Sequence, residues 1–426
     1  MRVLMLGWEF PPRIAGGLGV ACYGLVKGLT HHGVKVTFVM PHRSGQEPSN
    51  TYRLLGASEI EIPADITLTA TFWKQVRFYG VETYLGPYLE QLERPTLTFH
   101  AVPESISETT GGGSSIRLFF SGKYGVDLLD EVYRYAYAVS FLAQQEEFDI
   151  IHAHDWLTYL GGIALKQLTG KPLVVHIHAT EYDRSGENPN PLIRDIEARG
   201  FAEADLIIAV SFYTRAIVVE KYGIPPEKVW AIHNAVLPKD RQPVPRPSRR
   251  RKIVTFLGRV TYQKGPEYFV EAAARLAHRL PEAHFVVAGT GDKLRTIIQR
   301  VAELRLGSRF SFTGFLPPKE VENLFDLSDV YVMPSVSEPF GISALEALRA
   351  GVPVIVSKQS GVAEVLRYAL KVDFWDVNRL ADLIYGVLRY PAITSFFRKF
   401  AQDELSQLQW ERSSSRVIEA YKTLCP

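Results

Sequence analysis

Short apolar runs alternate with longer segments of helical periodicity along most of the chain. Residues 3–6 are apolar and lead into a turn containing Gly16, Gly17 and Gly19, after which Leu25, Val26 and Leu29 keep the spacing of a helix. A second apolar run fills 34–40, and others recur at 149–152, 173–178, 206–210 and 229–232, separated by helix-length segments. This alternation predicts a parallel sheet with helices on both faces. Between 42 and 118 the rhythm breaks into mixed short β-type runs, and Gly111-Gly112-Gly113-Ser114-Ser115 predicts a flexible or hairpin turn, so this stretch reads as an insertion. The helical pattern returns over 124–145, with Val132, Tyr135, Val139 and Leu142 on one side.

Pro238, Pro243, Pro245 and Pro247, followed by Arg249-Arg250-Arg251-Lys252, mark a proline-rich and charged linker over 239–251. Beyond it the alternation restarts: strands at 253–257, 284–288, 309–313, 330–333 and 352–356, with helices over 266–279 and 293–304 among them. The prediction is an α/β chain of two doubly wound domains, 1–238 and 252–400, and a length of 426 residues agrees with two cores rather than one. Residues 401–424 read as a helix whose partner domain the pattern does not assign. Ligands of such sheets bind beyond the carboxyl ends of the strands, so the expected site is an interdomain cleft.

Composition narrows the function. Lys and Arg total 48 against 46 Asp and Glu, a balance that excludes a general grip on nucleic acid. No run reaches the ~18 apolar residues of a membrane span, and the N-terminal apolar run stops at Trp8-Glu9, which leaves a cytoplasmic location as the expectation. Cys22 and Cys425 are too few for a disulfide framework or a zinc cage and are read as free thiols.

Four stretches could carry chemistry. Arg13-Ile14-Ala15-Gly16-Gly17-Leu18-Gly19 lies between a strand and a helix, where bare N–H groups and the helix dipole suit a phosphate, although a plain tight turn uses the same residues. It lacks the spacing and the later acidic residue of a nicotinamide-cofactor site, since Met40-Pro41-His42 ends the second strand. Arg259 and Lys264 sit at the end of the first strand of the second domain, where two cations suit a diphosphate; an exposed surface pair is the alternative. Glu338 and Glu346 flank a loop entering a helix. Were both on the helix they would stand ~12 Å apart along its axis, poorly placed as a hydrolase pair. Finally, His152-Ala153-His154-Asp155 and His176-Ile177-His178 end two strands. Alternate residues on a strand are taken to face opposite sides, so neither pair is expected to chelate a metal, and no D-x-D pair occurs to carry a nucleotide-bound cation.

Together, Trp8-Glu9-Phe10-Pro11-Pro12 with Gly16-Gly17-Leu18-Gly19, His152-Ala153-His154-Asp155-Trp156, Arg259 with Lys264, and Glu338 with Glu346 resemble the retaining GT-B glycosyltransferases, specifically the glycogen (starch) synthases. The resemblance covers nearly the whole chain. It implies a GT-B architecture of two Rossmann-like domains, with a nucleotide-sugar donor held mainly by the second, an α-glucan acceptor mainly by the first, and residues 401–426 returning to the first. It also implies transfer of glucose from ADP-glucose or UDP-glucose to a non-reducing end with retention, without metal or cofactor. Carried onto this chain, Arg259 and Lys264 neutralise the departing diphosphate. Glu338 holds glucose hydroxyls, Glu346 the ribose, and His178 lines the reactive face of the sugar. Arg13, Gly16, Gly17, Gly291, Gly341 and Ile342 lie against donor or phosphate, and Asp155 and Asn234 are further cleft contacts.

Two departures bear on the acceptor and donor. Arg13 stands where bacterial glycogen synthases usually carry a Lys, and Glu346 stands where they tend to have an aromatic. The alternative reading is a retaining GT-B enzyme acting on a small sugar or a lipid-linked acceptor. Oligomeric state is not legible in the sequence.

Overall fold

In the computed structural model the described residues are 1–12, 14, 16–47, 51–63, 115–122, 124, 125, 128–238 and 251–425. The turn read at Gly111 to Ser114 and most of the linker read at 239–251 lie outside them. In the N-terminal half the strands are β1 (Arg2–Leu6), β2 (Lys35–Met40), β3 (Arg53–Gly56), β4 (Ile62–Pro63), β5 (Ser115–Ile116), β6 (Ile150–His154), β7 (Leu173–Ile177), β8 (Leu206–Ala209) and β9 (Val229–Ala231). A 7-stranded sheet has the order β3-β2-β1-β6-β7-β8-β9 and is parallel throughout, while β4 and β5 form a separate antiparallel pair. The C-terminal half contributes β10 (Lys252–Leu257), β11 (Ala283–Ala288), β12 (Phe310–Gly314), β13 (Val330–Met333), β14 (Val354–Ser357) and β15 (Leu370–Val372). These form a parallel 6-stranded sheet in the order β12-β11-β10-β13-β14-β15. Strand order reverses beside β1 in one sheet and beside β10 in the other, so each is doubly wound and opens a crevice at that switch point.

Why these runs become strands follows from their burial. Every residue of β6, β7, β8, β13 and β14 is buried, as expected for central parallel strands covered on both faces. Helix starts carry local signals: Asn190 accepts from the N–H groups of Leu192 and Ile193, Thr180 and Asp183 form a capping box, and Pro191, Pro266 and Pro318 open their helices.

Several boundaries differ from the sequence reading. The segment 401–424 is not one helix: Pro391–Leu405 ends before a break, and Trp410–Leu424 begins anew. The helix expected over 124–145 divides at Phe141 into Leu128–Ser140 and Leu142–Gln145. The strand expected from 352 starts at Val354, after Pro353. Strand β3 falls within the stretch read as an insertion and joins the main sheet beside β2.

Helix Trp410–Leu424 packs on helix Gly17–His31. Trp410, Val417, Ala420 and Tyr421 are buried in the same apolar cluster as Cys22, Leu25, Val26 and Leu29. The approach depends on glycine: a Cβ on Gly24 would stand 2.1 Å from the Trp410 ring, and one on Gly28 2.7 Å from the Trp410 carbonyl oxygen. The domains also meet directly, because Val210 and Val236 of the first share a cluster with Phe340, Ala344 and Leu345 of the second.

These contacts make opposite predictions for one chemical change. In a helix interior Gly→Ala ordinarily gains about 0.5–1 kcal/mol, and Gly386, whose Cβ would meet only Ile393 at 3.7 Å, is expected to gain it. Gly24→Ala is expected instead to lose about 1–3 kcal/mol by overpacking against Trp410. Urea unfolding of both variants checks the pair, and equal stabilisation by both would refute the packing of the C-terminal helix.

Candidate active site

Segments after β6, β7, β8 and β9 of the first sheet and after β10, β13 and β14 of the second converge where the two domains meet. After β10, Arg259 donates from Nη2 to Gln263 Oε1 at 3.3 Å and forms no ion pair among the described residues. Lys264 follows in a single helical turn, and its Nζ donates to Glu338 Oε2 at 2.6 Å. Ser335 donates to the same oxygen at 3.2 Å. Glu338 is only 6% exposed, so the pair lies in a low-dielectric setting where loss of either partner strands the other's charge. Its backbone is fixed as well, with the Glu338 N–H on the Gln359 carbonyl and the Gly361 N–H on the Glu338 carbonyl, both at 2.9 Å.

Gly341 has φ +106° and starts helix Ile342–Arg349, which has no side-chain cap. Its first N–H groups are therefore open to an anion. Glu346 sits a turn along this helix. Its carboxyl forms no hydrogen bond or ion pair among the described residues, and burial pushes it up to about 7 against the opposing pull of Arg349.

The first domain supplies the facing wall. Asp155 ends β6 with φ +55° and starts helix Trp156–Thr169. Its Oδ1 accepts from the N–H of His178 at 2.6 Å and of Ala179 at 3.4 Å. Burial pushes the Asp155 carboxyl up to about 6, although Arg184 of its own domain and Arg259 of the opposite one both favour its charge. Burial likewise lowers His178 to about 3, so its imidazole is neutral near pH 7. Asn234, beyond β9, is buried at the same junction.

Two kinds of glycine emerge. Gly16 and Gly17, at the start of helix Gly17–His31, would meet none of the described residues within 4 Å if given a Cβ, so no packing among those residues explains them. At Gly291 a Cβ would lie 2.4 Å from the Val260 carbonyl oxygen, and φ is +158°. Its glycine is required by the loop that carries Arg259. Arg13 lies outside the described residues.

The expectation that the histidines of each pair face opposite sides does not hold. Residues two apart on a strand share a face, and His152 and His154 stack at 4.5 Å, as do His176 and His178. Register pairs His154 with His176 across β6 and β7, so all four rings gather on one face.

Sequence reasoning missed the contacts that join the domains. The Ser337 hydroxyl donates to Asp183 and lies 3.0 Å from the Tyr213 hydroxyl. The Pro339 carbonyl accepts from Ser211 at 2.6 Å and Thr214 at 3.3 Å. Glu364 accepts from the N–H groups of Phe212 and Tyr213 and pairs with His233 at 2.8 Å. The one local signal was Ser211 itself, a helix N-cap residue; its partners stand more than a hundred residues away.

Comparison with known proteins agrees with this fold. Residues 239–389 match the family model "Glycosyl transferases group 1", and residues 114–239 match "Glycosyltransferase Family 4". YqgM, an uncharacterized glycosyltransferase of Bacillus subtilis, is 31% identical over 255 residues, covering 58% of this chain and 70% of that one. An uncharacterized glycosyltransferase of Methanocaldococcus jannaschii is 27% identical over 448 residues, covering 99% and 98%. Glycogen synthase of Mycobacterium tuberculosis is 27% identical over 434 residues, covering 99% and 94%. Among solved structures, sucrose-phosphate synthase from Thermosynechococcus elongatus superposes with a TM-score of 0.70 at 20% identity, covering 99% of this chain and 98% of that one. The catalytic domain of starch synthase IV from Arabidopsis thaliana, bound to ADP and acarbose, superposes with 0.67 at 15% identity and the same coverage. The shared architecture is the GT-B fold.

The Glu346 carboxyl gives a pH prediction. Folding raises it from 4.5 to about 7, so the folded chain binds this proton more tightly than the unfolded chain. The resulting stability is full below about pH 4.5 and is lost as pH rises through about 7. Glu346→Gln removes the titration, and its stability relative to the parent should therefore grow by roughly 2 kcal/mol between pH 4.5 and 8, a figure discounted for partial exposure. Urea midpoints at the two pH values measure it; a constant difference would place the carboxyl in free solvent.

Proposed function

The chain belongs to the group 1 glycosyltransferases, and on that premise we propose that it is a retaining glucosyltransferase of the glycogen synthase type. Its donor is ADP-glucose or UDP-glucose and its acceptor the non-reducing 4-hydroxyl of an α-1,4-glucan. The observation that carries the reading is the trio at the cleft: Lys264 on Glu338 at 2.6 Å, and Arg259 without an ion pair among the described residues, close enough to Asp155 to favour its charge. A diphosphate leaving group needs positive charge where its own charge develops, and a sugar needs carboxylates for its hydroxyls; the cleft offers both within one ion pair.

In this mechanism the diphosphate lies against Arg259 and Lys264 and the uncapped start of helix Ile342–Arg349, with the start of helix Gly17–His31 facing it. Donor binding turns Lys264 from Glu338 toward phosphate. Glu338 then holds glucose hydroxyls and offsets charge at the anomeric carbon. Asp155, by accepting the His178 N–H, fixes the strand end that presents His178 to the sugar. The bond from the anomeric carbon to the phosphate oxygen breaks as the acceptor oxygen attacks from the same face, and the acceptor proton passes to the departing phosphate. Glu346 binds the ribose. No metal step is required, because the two cations and helix N-termini supply the positive field.

The experiment is nucleoside diphosphate release from each donor, with and without glycogen, in EDTA. Glycogen-dependent release with labelled glucose entering polymer is expected. Turnover with a small sugar phosphate but not with glycogen would transfer the reading to the small-acceptor alternative, and activity restored only by Mg²⁺ would overturn the metal-free step. Arg259→Ala is the cleaner variant, since replacing Lys264 also strands buried Glu338. It should lower kcat about 100-fold or more, the usual cost of one donor to a developing oxyanion, with Tm unchanged; wild-type turnover would remove Arg259 from the mechanism.

A further inference from the structure

The turn that carries His178 is held by more than Asp155. It runs from His178 to Thr180, between β7 and helix Glu181–Ser185. Asp155 Oδ1 accepts from the N–H groups of His178 and Ala179, and Asp183 Oδ2 accepts from the Thr180 N–H at 2.7 Å. The Thr180 carbonyl accepts from the Asp183 N–H at 3.1 Å. The Ala179 carbonyl accepts from Arg184 Nη2 at 2.7 Å. Among the described residues, the His178 carbonyl is the one backbone polar group of the turn without a hydrogen-bond partner.

Two carboxylates place Arg184 for this contact. Its Nη1 donates to Glu181 Oε2 at 3.3 Å and to Glu197 Oε1 at 3.2 Å, and both glutamates are fully buried. Each is fixed in turn. Glu181 accepts from the Ser185 hydroxyl at 2.7 Å and the Asn190 N–H at 3.3 Å, and Glu197 accepts from the Glu181 N–H at 3.0 Å and from the Tyr222 hydroxyl. Burial pushes the Glu197 carboxyl up to about 7, with Arg184 the leading influence against it. The planar guanidinium thus has one nitrogen for the carboxylates and another for the main chain, a fork that an ammonium group lacks. Arg184 is itself buried, at 9% exposure. It is also the leading group that favours the charge of Asp155, the residue holding the other side of the turn.

We propose that Arg184 is a positioning residue for the transfer step: by holding the Ala179 carbonyl it fixes, together with Asp155, the turn that sets His178 against the donor sugar. This rests on the proposed place of His178 at the sugar. An arginine that served the fold alone would need only its carboxylates, whereas the second arm of Arg184 acts on the residue next to His178. Displacements of ~1 Å in a group that orients reacting atoms cost rate steeply. Donor affinity rests on other loops, through Arg259, Lys264 and the helix starts.

Arg184→Lys separates the two roles, since it keeps a cation for Glu181 and Glu197 and loses the second nitrogen. In the full chain it is expected to fold, to lower kcat about 10-fold or more, and to leave the donor KM nearly unchanged. Amide exchange of the substrate-free chain, followed by mass spectrometry, should quicken over residues 178–181 and keep the parental rate over helix Gly17–His31. Parental exchange in the turn, or parental kcat, overturns the proposal; so does a lowered Tm with kcat per folded chain preserved, which would make Arg184 a residue of the fold alone. Turnover with a sugar phosphate in place of glycogen fails only the acceptor reading, because the same comparison is then made with that acceptor. A wild type inert with both overturns the transfer reading and the catalytic half of this proposal, and exchange then decides whether Arg184 holds the turn. Should Arg184→Lys fail to fold, Arg184→Gln combined with Glu197→Gln removes one buried charge of each sign; it is expected to show the same loss of kcat and the same faster exchange, and parental values there would overturn the assignment.

Discussion

The carbonyl of Pro339 holds the two halves of the molecule in one arrangement. It accepts from both Ser211 and Thr214, the start of a helix in the first domain. Its neighbours are held with equal economy: Ser337 bonds Asp183, while Glu338 is threaded between Gln359 and Gly361 by main-chain bonds. A short loop thus bridges the domains through its backbone and presents one buried carboxylate to Lys264. Because the contacts are made by backbone and short side chains, the position of Glu338 relative to Asp155 and His178 is set by the meeting of the domains. The cleft is correct only when that meeting is made.

Electrostatics follow from the same enclosure. Burial raises Asp155 to about 6 and Glu346 to about 7, so both carboxyls give up charge easily when a negative group approaches. The proposed diphosphate site benefits from carboxyls that yield in this way. Only Glu338 has its charge secured by a direct ion pair, and it is the residue whose charge the proposed sugar contact needs.

Much of the fold was legible because central parallel strands are continuous apolar runs and their helices carry a clear period. The sequence reading located β1, β2, β6 through β9 and the central strands of the second sheet within a few residues. It missed β3 and β15, edge strands of four and three residues whose pairing is not written in apolar repetition. It also missed the break before Trp410, where a helical pattern runs on while the chain turns to reach the other domain. The interdomain bonds were beyond it for a physical reason: Ser337, Asp183 and Tyr213 are ordinary surface residues until two distant loops meet. The histidine stack was within reach, since residues two apart share a strand face, and the parallel register of β6 with β7 brings His176 beside His154.

Glycine shows how residue identity and role come apart. In the sequence, Gly16, Gly17 and Gly291 are the same signal: glycine after a strand, facing a presumed phosphate. In the structure Gly291 is filled by protein, with the Val260 carbonyl where a Cβ would be, and Gly16 and Gly17 are open. Crowding at Gly291 bears on Arg259, because the loop from Gly258 to Val260 is held against Thr290 and Gly291 by main-chain contact, including Val260 N–H to the Thr290 carbonyl at 2.8 Å. Open space at Gly16 and Gly17 leaves room beside the first N–H groups of their helix, while the Gly16 N–H itself donates to Glu9 Oε2 at 3.3 Å. One glycine shapes the loop that carries a cation and the other two leave open space at a helix start, and the proposed diphosphate site uses both at the same cleft.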